Sequence, residues 1–382
     1  VNPITARSLN EFASHLAWVR NGGIPVAAGV GQAILARPFP ANARCRILLV
    51  YWDHELAYTQ FYAFLRYGAR FAARGMHFRA IPYAKLDPAN LPEYLDAVFL
   101  QSSYTPAAGE LETLLHMIRQ ERPATNISYF DWFAPTDIRF AGRVAPFADH
   151  YVKKSLLRDR KSYGIPTKSH TNLTEYYGAR MGIETPLRDW QVPPDIIDKL
   201  DLSPSFSTGP GIIRQFEHDS LPAMQERPID LHARIAVGGT SWYSAMRQEA
   251  KDALAKFTDL NLASEGRIAK SAFLTELRRS KLCFSPFGYG EVCWRDFEAI
   301  ACGAVVIKPD MSHIDASPDI YRPSETYIPV RWDLADLESK VRDALRDPAG
   351  LRRIAEAAYA VVRDHLRGPA LVELAARLSG CA

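Results

Sequence analysis

The sequence predicts an α/β protein built as two Rossmann-like, doubly wound domains facing each other across a cleft. Three observations carry this expectation. Strand-like apolar runs alternate with helix-periodic segments from Arg46 to about residue 154, the alternation restarts near Asp230, and a proline-crowded stretch separates the two. The chain has 382 residues, long for one core and suited to two domains of roughly 150–200 residues each. The expected boundaries are 1–190 for an acceptor-side α/β domain, 191–228 for the connection and 229–365 for a donor domain. Residues 366–382 form a C-terminal helix expected to pack back on the first domain.

The N-terminal 43 residues are mixed, with a short helix expected over Leu9–Val19 and a small-residue loop at Ala27-Ala28-Gly29-Val30-Gly31. The loop's GxG follows no strand and lacks a third glycine, so it is not a dinucleotide fingerprint. The run from Ile47 to Trp52 is continuously apolar, as in a strand buried on both faces. A helix is expected over Leu56–Ala73, stopped by Gly75. Strands follow at Phe78–Pro82, Asp96–Gln101, Asn126–Asp131 and His150–Lys154, with a helix at Leu111–Gln120. Seven prolines between Pro186 and Pro228 read as an irregular connection. In the second half, strands are expected at Ala233–Val237, Leu260–Leu262, Lys281–Ser285, Ala304–Ile307 and Thr326–Val330. Helices are expected at Tyr243–Phe257, Ser271–Arg279, Val292–Ala301, Leu334–Leu345 and, closing the chain, about 350–366 and 369–379.

Composition narrows the function. Hydrophobic residues make up 47% and charged residues 23%, an ordinary globular balance. A net charge of +3 gives no concentrated basic face, so no nucleic-acid partner is expected, while a phosphate-bearing ligand fits. The five cysteines, Cys45, Cys283, Cys293, Cys302 and Cys381, have no CxxC spacing and are read as buried free thiols of a reducing compartment. No run reaches the ~20 apolar residues a bilayer span needs, and no signal-like N-terminal pattern is present. The expected setting is cytoplasmic, with a peripheral place at a membrane surface as the alternative. The chain begins at Val1, which leaves an upstream targeting segment open.

The strongest chemical signal runs from Cys283 to Glu298. A strand ends in a Gly/Pro-rich turn, Ser285-Pro286-Phe287-Gly288-Tyr289-Gly290-Glu291-Val292, and a helix starts at once. Glycines permit close approach of a ligand, and a helix N-terminus offers free N–H groups to a diphosphate. Glu291 and Glu298 stand seven apart, near two helical turns, so a helix from Val292 places both carboxylates on one face. Such a pair accepts hydrogen bonds from sugar and ribose hydroxyls, and Arg295 is available to phosphate. A tight strand-to-helix joint with a solvated acidic face has the same pattern.

Arg279-Ser280-Lys281-Leu282-Cys283, Gly290-Glu291, Phe297-Glu298-Ala299-Ile300 and Gly303-Ala304-Val305-Val306-Ile307 resemble the C-terminal signature of GT-B glycosyltransferases, exostosin-like and group 1 enzymes in particular. The resemblance is detailed over 271–330. Two departures stand out: the group 1 glutamates are spaced by eight rather than seven, and Val305 replaces the usual proline. The resemblance implies a GT-B fold, a nucleotide-sugar donor as co-substrate, no other cofactor and a donor pocket at this turn.

Three further groups belong to the expected site. Gly238-Gly239-Thr240 with Tyr243 and Arg247 follows the first strand of the second domain; in GT-B enzymes this loop borders the donor phosphates, although a plain turn with Thr240 as N-cap fits as well. Asp131, at the end of a first-domain strand beside Trp132 and Phe133, is where an acceptor-side base would sit, or else a turn aspartate among core aromatics. His54 and Glu55 are rival bases by the same argument. The basic run Lys153, Lys154, Arg158, Arg160 and Lys161 reads as a phosphate attractor or, more simply, as a solvated helix face, and His313 as a structural or surface group.

The expected donor-site set is therefore Gly239, Thr240, Tyr243, Arg247, Ser285, Phe287, Gly288, Tyr289, Gly290, Glu291, Val292, Arg295 and Glu298, with Asp131 and Glu291 as catalytic candidates. The expected function is metal-independent transfer of a sugar from a nucleotide-sugar to a hydroxyl of a glycan, lipid-linked saccharide or small molecule. The alternatives are a nucleotide-sugar epimerase of the same fold and a non-catalytic nucleotide-sugar binding protein. Amphipathic C-terminal helices with Arg352, Arg353, Arg363 and Arg367 are read as packing elements or a weak membrane-surface contact.

Overall fold

The computed structural model describes residues 38–167, 172–188, 190–221, 226–264 and 266–381; the helix expected over Leu9–Val19 and the loop at 27–31 lie outside them. The first domain is built on β1 (Cys45–Tyr51), α1 (Glu55–Arg66), β2 (Met76–Pro82), β3 (Ala97–Leu100), α2 (Glu110–Glu121), β4 (Asn126–Asp131) and β5 (His150–Lys153). Its sheet has the order β2-β1-β3-β4-β5-β7, where β7 is Leu200–Leu202, and every pairing is parallel. Ile47, Leu48, Leu49 and Val50 are fully buried, as a strand covered on both faces requires. The helix expected over Leu56–Ala73 is two, parted at Tyr67 beside the poor helix former Gly68.

The second domain carries β8 (Ile229–His232), β9 (Leu262–Ala263), β10 (Ser280–Phe284), β11 (Val305–Pro309) and β13 (Ile328–Val330) in the parallel order β13-β11-β10-β8-β9. Two parallel α/β sheets in one chain are the expected fold class. Around the second sheet lie α4 (Ser241–Leu254), α5 (Lys270–Arg278), α6 (Trp294–Cys302), α7 (Leu337–Arg346) and α8 (Pro348–Arg367), and α9 (Ala370–Ser379) follows; α3 (Asn172–Arg180) precedes β7 in the chain.

The strand expected at Ala233–Val237 is instead Ile229–His232. Leu231 and His232 pair with Leu282 and Cys283 of β10, and that ladder closes where β10 ends at Phe284. The connection is likewise not wholly irregular, because Leu200–Leu202 joins the first sheet beside β5. The next segment is held on α1 by buried hydroxyls: Thr59 Oγ1 lies 2.8 Å from Ser205 Oγ, and Thr208 donates to the Thr59 carbonyl.

The domains meet along a continuous seam. β6 (Ser155–Leu157) pairs antiparallel with β12 (Ile314–Ala316), so one small sheet has a strand from each domain. Arg158 and Arg160 flank it and both pair with Asp315. Helix α9 lies against β4: Ser128 Oγ donates to the Leu378 carbonyl and Asn126 Nδ2 to that of Ser379. Arg70 of the first domain donates to the carbonyls of Leu366, Arg367 and Gly368. In α8, Arg367 pairs with Asp219 and Arg363 donates to the Asp219 carbonyl, so these two arginines hold the connection. No helix among the described residues is long and apolar enough to cross a membrane.

Two side-chain assignments, one of cysteines and one of lysines, need correcting. Cys45 and Cys381 form a disulfide, leaving Cys283, Cys293 and Cys302 free; the reduced-thiol premise for a cytoplasmic setting therefore does not hold for this pair. Lys153 and Lys154 are not on a solvated helix face: both are buried, Lys153 in β5 and Lys154 just beyond it. Lys153 Nζ reaches Asp131 Oδ2 at 2.8 Å, and both side chains are shut from solvent. The same Oδ2 accepts from Tyr151 Oη at 2.6 Å, and Oδ1 accepts from the Phe133 amide at 2.9 Å. Burial beside this carboxylate pushes the Tyr151 phenol well above its usual range. Asp131 thus accepts hydrogen bonds in the first domain's buried polar core, which fits the turn aspartate among core aromatics of the two readings.

Removing one partner of a buried ion pair strands the other charge. Asp131→Ala is expected to cost about 3–5 kcal/mol in urea unfolding, by leaving Lys153 without its counter-charge. A loss below about 1 kcal/mol, the range of exposed pairs, would contradict the buried placement.

Candidate functional site

The site is built where β10 ends. After Phe284 the chain turns through Ser285–Val292 to Cys293, the N-cap of α6. Asp296, at the third helical position, closes this turn on itself. It accepts from the Cys293 amide at 3.0 Å, Ser285 Oγ at 2.5 Å and Tyr321 Oη at 2.6 Å. Lys308, carried on β11, stands 3.3 Å from Asp296 Oδ2, and neither side chain is exposed. Cys293 and Asp296 form a reciprocal capping box at the start of α6.

In front of that turn lies a cleft of about 660 Å³ between the domains. Ser285, Gly288, Cys293, Arg295 and Glu298 line it from the turn and α6, Arg247 from α4, and Lys270 and Phe273 from α5. Gly211 and Gln215 of the connection and Glu55 and Tyr58 of α1 complete the far wall. Trp294 lines the cleft and stacks on Phe206 with centroids 4.8 Å apart.

Five of the residues expected at the donor site therefore face this cleft: Arg247, Ser285, Gly288, Arg295 and Glu298. Arg247 donates to the carbonyls of Ala236 and Phe287, each at 3.2 Å, and lies over the Tyr243 ring. Arg295 donates to the carbonyls of Phe284 and Arg234. Glu298 is nearly buried and pairs with Lys270, whose side chain is largely exposed.

Gly239, Thr240, Tyr243 and Tyr289 form a separate cluster. The Tyr243 and Tyr289 rings stack at 4.2 Å, and Tyr289 Oη accepts from the Thr240 amide at 3.2 Å. Gly239 has φ +98°, and a Cβ there would fall 2.2 Å from Tyr289 Oη, so this position requires glycine.

Phe287, Gly290, Glu291 and Val292 are placed differently from the expectation. Phe287 and Val292 are core residues, and Phe287 offers its carbonyl, not its ring, to Arg247. Glu291 precedes the N-cap, so it shares no helix face with Glu298; the helix starts two residues later than its apolar pattern suggested. Glu291 is fully buried in the domain seam. Its Oε2 accepts from Thr136 Oγ1 at 2.6 Å, and its Oε1 lies 3.8 Å from His313 Nε2, in ion-pair range but beyond a hydrogen bond. Burial pushes the carboxyl up, but His313, Thr136 and backbone donors outweigh it and hold the group below its usual range.

Lys154 stands close by. Its Nζ donates to the carbonyls of Phe133 and Ala134, and burial together with neighbouring Lys153 lowers it to about 7.

Sequence reasoning passed over Lys270, Trp294, Gln215 and Asp296. Only Asp296 left a readable signal, an acid three residues after a cap. Of the rival bases, His54 is spent as the N-cap of α1, accepting from the Leu56 amide, whereas Glu55 lines the cleft. Among the described residues, the group of potential metal ligands is Cys45, Asp96 and Cys381, two of which are joined in the disulfide.

Residues 214–367 match a family model described as glycosyl transferase-like, a span that holds the second sheet, the turn and α6. The match supports the enzyme class expected from sequence, a glycosyltransferase. No curated protein sequence matches the chain. Among solved structures, an α-glucosyltransferase in complex with UDP is 10% identical, covering 88% of this chain and 99% of its own, with a TM-score of 0.48. A glycosyltransferase from Rickettsia africae ESF-5 is 12% identical over 88% of this chain and 99% of its own, at 0.46. Trehalose-6-phosphate synthase OtsA is 9% identical over 76% and 73%, at 0.41.

At the turn the two domains also approach backbone to backbone. A Cβ on Gly290 would lie 1.8 Å from the Ala134 carbonyl oxygen. Gly290→Ala must therefore move one loop away from the other, with an expected loss of about 1–3 kcal/mol in thermal or urea unfolding. An unchanged melting temperature would mean that the two loops do not meet in solution.

Proposed function

We propose that this protein, whose second domain is glycosyl transferase-like, transfers a sugar from a nucleotide-sugar donor to an acceptor hydroxyl without a metal. The observation that carries the reading is the convergence of the α6 N-terminus, Arg247, Arg295, Lys270 and Glu298 on one cleft, with Glu55 and Tyr58 of the other domain opposite. The diphosphate would sit against the first turn of α6, where N–H groups and the helix dipole favour negative charge. Trp294 and Phe273 supply flat apolar surface for a base, and Glu298 an acceptor for ribose hydroxyls.

In the transfer, the acceptor oxygen bonds to the anomeric carbon as the bond from that carbon to the diphosphate oxygen breaks. The bonding electrons leave with the diphosphate, whose growing charge meets Arg247, Arg295, Lys270 and the helix N–H groups. The acceptor hydroxyl's proton passes to the Glu55 carboxylate. Closing the domains on both substrates excludes water and so disfavours hydrolysis.

Binding to the folded state raises the melting temperature by linkage. In a thermal-shift panel of UDP, GDP, CMP and dTDP, one nucleotide is expected to stabilise the protein, with the shift reduced in Glu298→Ala. Failure of all four would contradict the donor-site reading. Binding without turnover of any donor–acceptor pair would favour a non-catalytic binding protein, and interconversion of donor sugars without an acceptor would favour an epimerase.

Glu55→Gln is expected to keep the nucleotide shift while transfer falls by roughly 10²–10⁴-fold. Transfer within a factor of two of wild type would remove Glu55 as the base. Wild-type transfer should also survive EDTA; a loss restored by Mg²⁺ or Mn²⁺ would overturn metal independence.

A further inference from the structure

Tyr289, in the donor turn, is 42% exposed, yet its ring is fixed on three sides. Tyr243 stacks on one face, with ring centres 4.2 Å apart and planes 11° from parallel. Gly239 and the Thr240 amide close off the hydroxyl end. Buried Trp242 stands 5.9 Å from Tyr243 and 6.1 Å from Tyr289, nearly perpendicular to both. Such similar distances put Trp242 beside the stack and not over its end. The exposed area of Tyr289 therefore lies on the face turned away from Tyr243.

This open face stands at the rim of the donor cleft. Gly288, the preceding residue, lines the cleft, and so does Arg247, whose guanidinium lies 5.3 Å from the Tyr243 ring centre. On the other side Gly290 abuts Ala134 of the first domain. Next to Tyr289 runs the exposed strip 236–241, which carries the hydroxyls of Thr240 and Ser241. The segments that build the platform, 236–246 and 285–292, contain one charged residue, Glu291, and it is buried.

We infer that the open face of Tyr289 seats a sugar ring of the acceptor other than the one that carries the reacting hydroxyl, so that the acceptor is a neutral saccharide chain and not a single sugar. The inference rests on the transferase reading and adds the class of its acceptor and a residue that binds it. Donor and reacting hydroxyl meet inside the cleft, beside Glu55, so a ring seated on the rim belongs to a further unit of the same acceptor. The C–H bonds on one face of a pyranose carry partial positive charge, which meets the negative face of an aromatic ring, and the sugar hydroxyls are left for polar neighbours such as Thr240 and Ser241. A ring already held in place loses little freedom when a ligand settles on it. A nucleic-acid strand also stacks on aromatic rings, but it needs cations along its backbone. Arg247, the cation that follows the first segment, is buried and faces the donor cleft.

The test is saturation-transfer NMR on the full chain. The probes are maltotriose, cellotriose, laminaritriose, mannotriose and chitotriose, each beside its monosaccharide, and a thymidine oligonucleotide. At least one trisaccharide is expected to receive saturation on its ring C–H protons and to bind more tightly than its monosaccharide. Its affinity should fall about tenfold or more in Tyr289→Ala and stay within about threefold in Tyr289→Phe, because the ring and not the hydroxyl makes the contact. Both variants should melt cooperatively and keep the wild-type thermal shifts with UDP, GDP, CMP and dTDP, since the platform lies outside the nucleotide's place. The inference is overturned if no trisaccharide binds wild type, if binding is indifferent to Tyr289→Ala, or if Tyr289→Phe loses as much as Tyr289→Ala. Tyr289-dependent binding of the oligonucleotide without any saccharide would overturn it in favour of a nucleic-acid acceptor. Trisaccharide binding that obeys both substitutions while no nucleotide binds wild type would instead sink the donor reading and leave a saccharide-binding platform.

Discussion

Asp296 is the constraint on which the site depends. It takes hydrogen bonds from a hydroxyl, a phenol and an amide, and it faces an ammonium, all inside the protein. A carboxylate so enclosed is tolerable only because each lone pair is used. The arrangement ties β10, the turn, α6, β11 and the Tyr321 segment to one atom pair. The consequence is a helix N-terminus whose capping residue is held in place beside the cleft that Cys293, Trp294 and Arg295 line. A site that receives a charged diphosphate gains from such preorganisation, because its dipoles need no rearrangement when charge develops.

A second constraint is the seam between the domains. A shared two-stranded sheet, the α9–β4 contact, the Cys45–Cys381 bond and the Gly290–Ala134 approach are distributed along its length. Because Glu55 and Tyr58 come from one domain and Glu298 and Arg295 from the other, the seam sets the distance between the proposed base and the donor. Any domain closure is therefore limited to what these contacts and the connection on α1 permit.

Much of the fold was legible because both sheets are parallel and buried. Strands such as Ile47–Val50 and Val305–Ile307 must be apolar on both faces, and that leaves a continuous run in the sequence. Strand β8 was misplaced for the opposite reason: Asp230 and His232 interrupt its pattern, with Asp230 paired to Lys281 and His232 buried against Phe273. Lys153 and Lys154 misled in the same way, since a charge in a buried strand is readable only if its partner is known. The Cys45–Cys381 bond spans 336 residues and left no local trace.

The site was legible in its turn and less so in its walls. Gly288, Arg295 and Glu298 follow from a strand–turn–helix pattern, and Arg247 from its loop. Glu291 was assigned to the wrong surface because its position hangs on a two-residue shift in where α6 starts. Lys270 and Gln215 come from other elements, and their place at the cleft is a property of the assembled domains. The measurement that tests the central claim most directly is amide hydrogen exchange with and without the nucleotide that binds. Protection should appear in peptides covering the turn and the first turn of α6, residues 285–297, and in the peptide carrying Lys270. Protection confined to segments away from that turn would contradict the assignment of the α6 N-terminus as the diphosphate site.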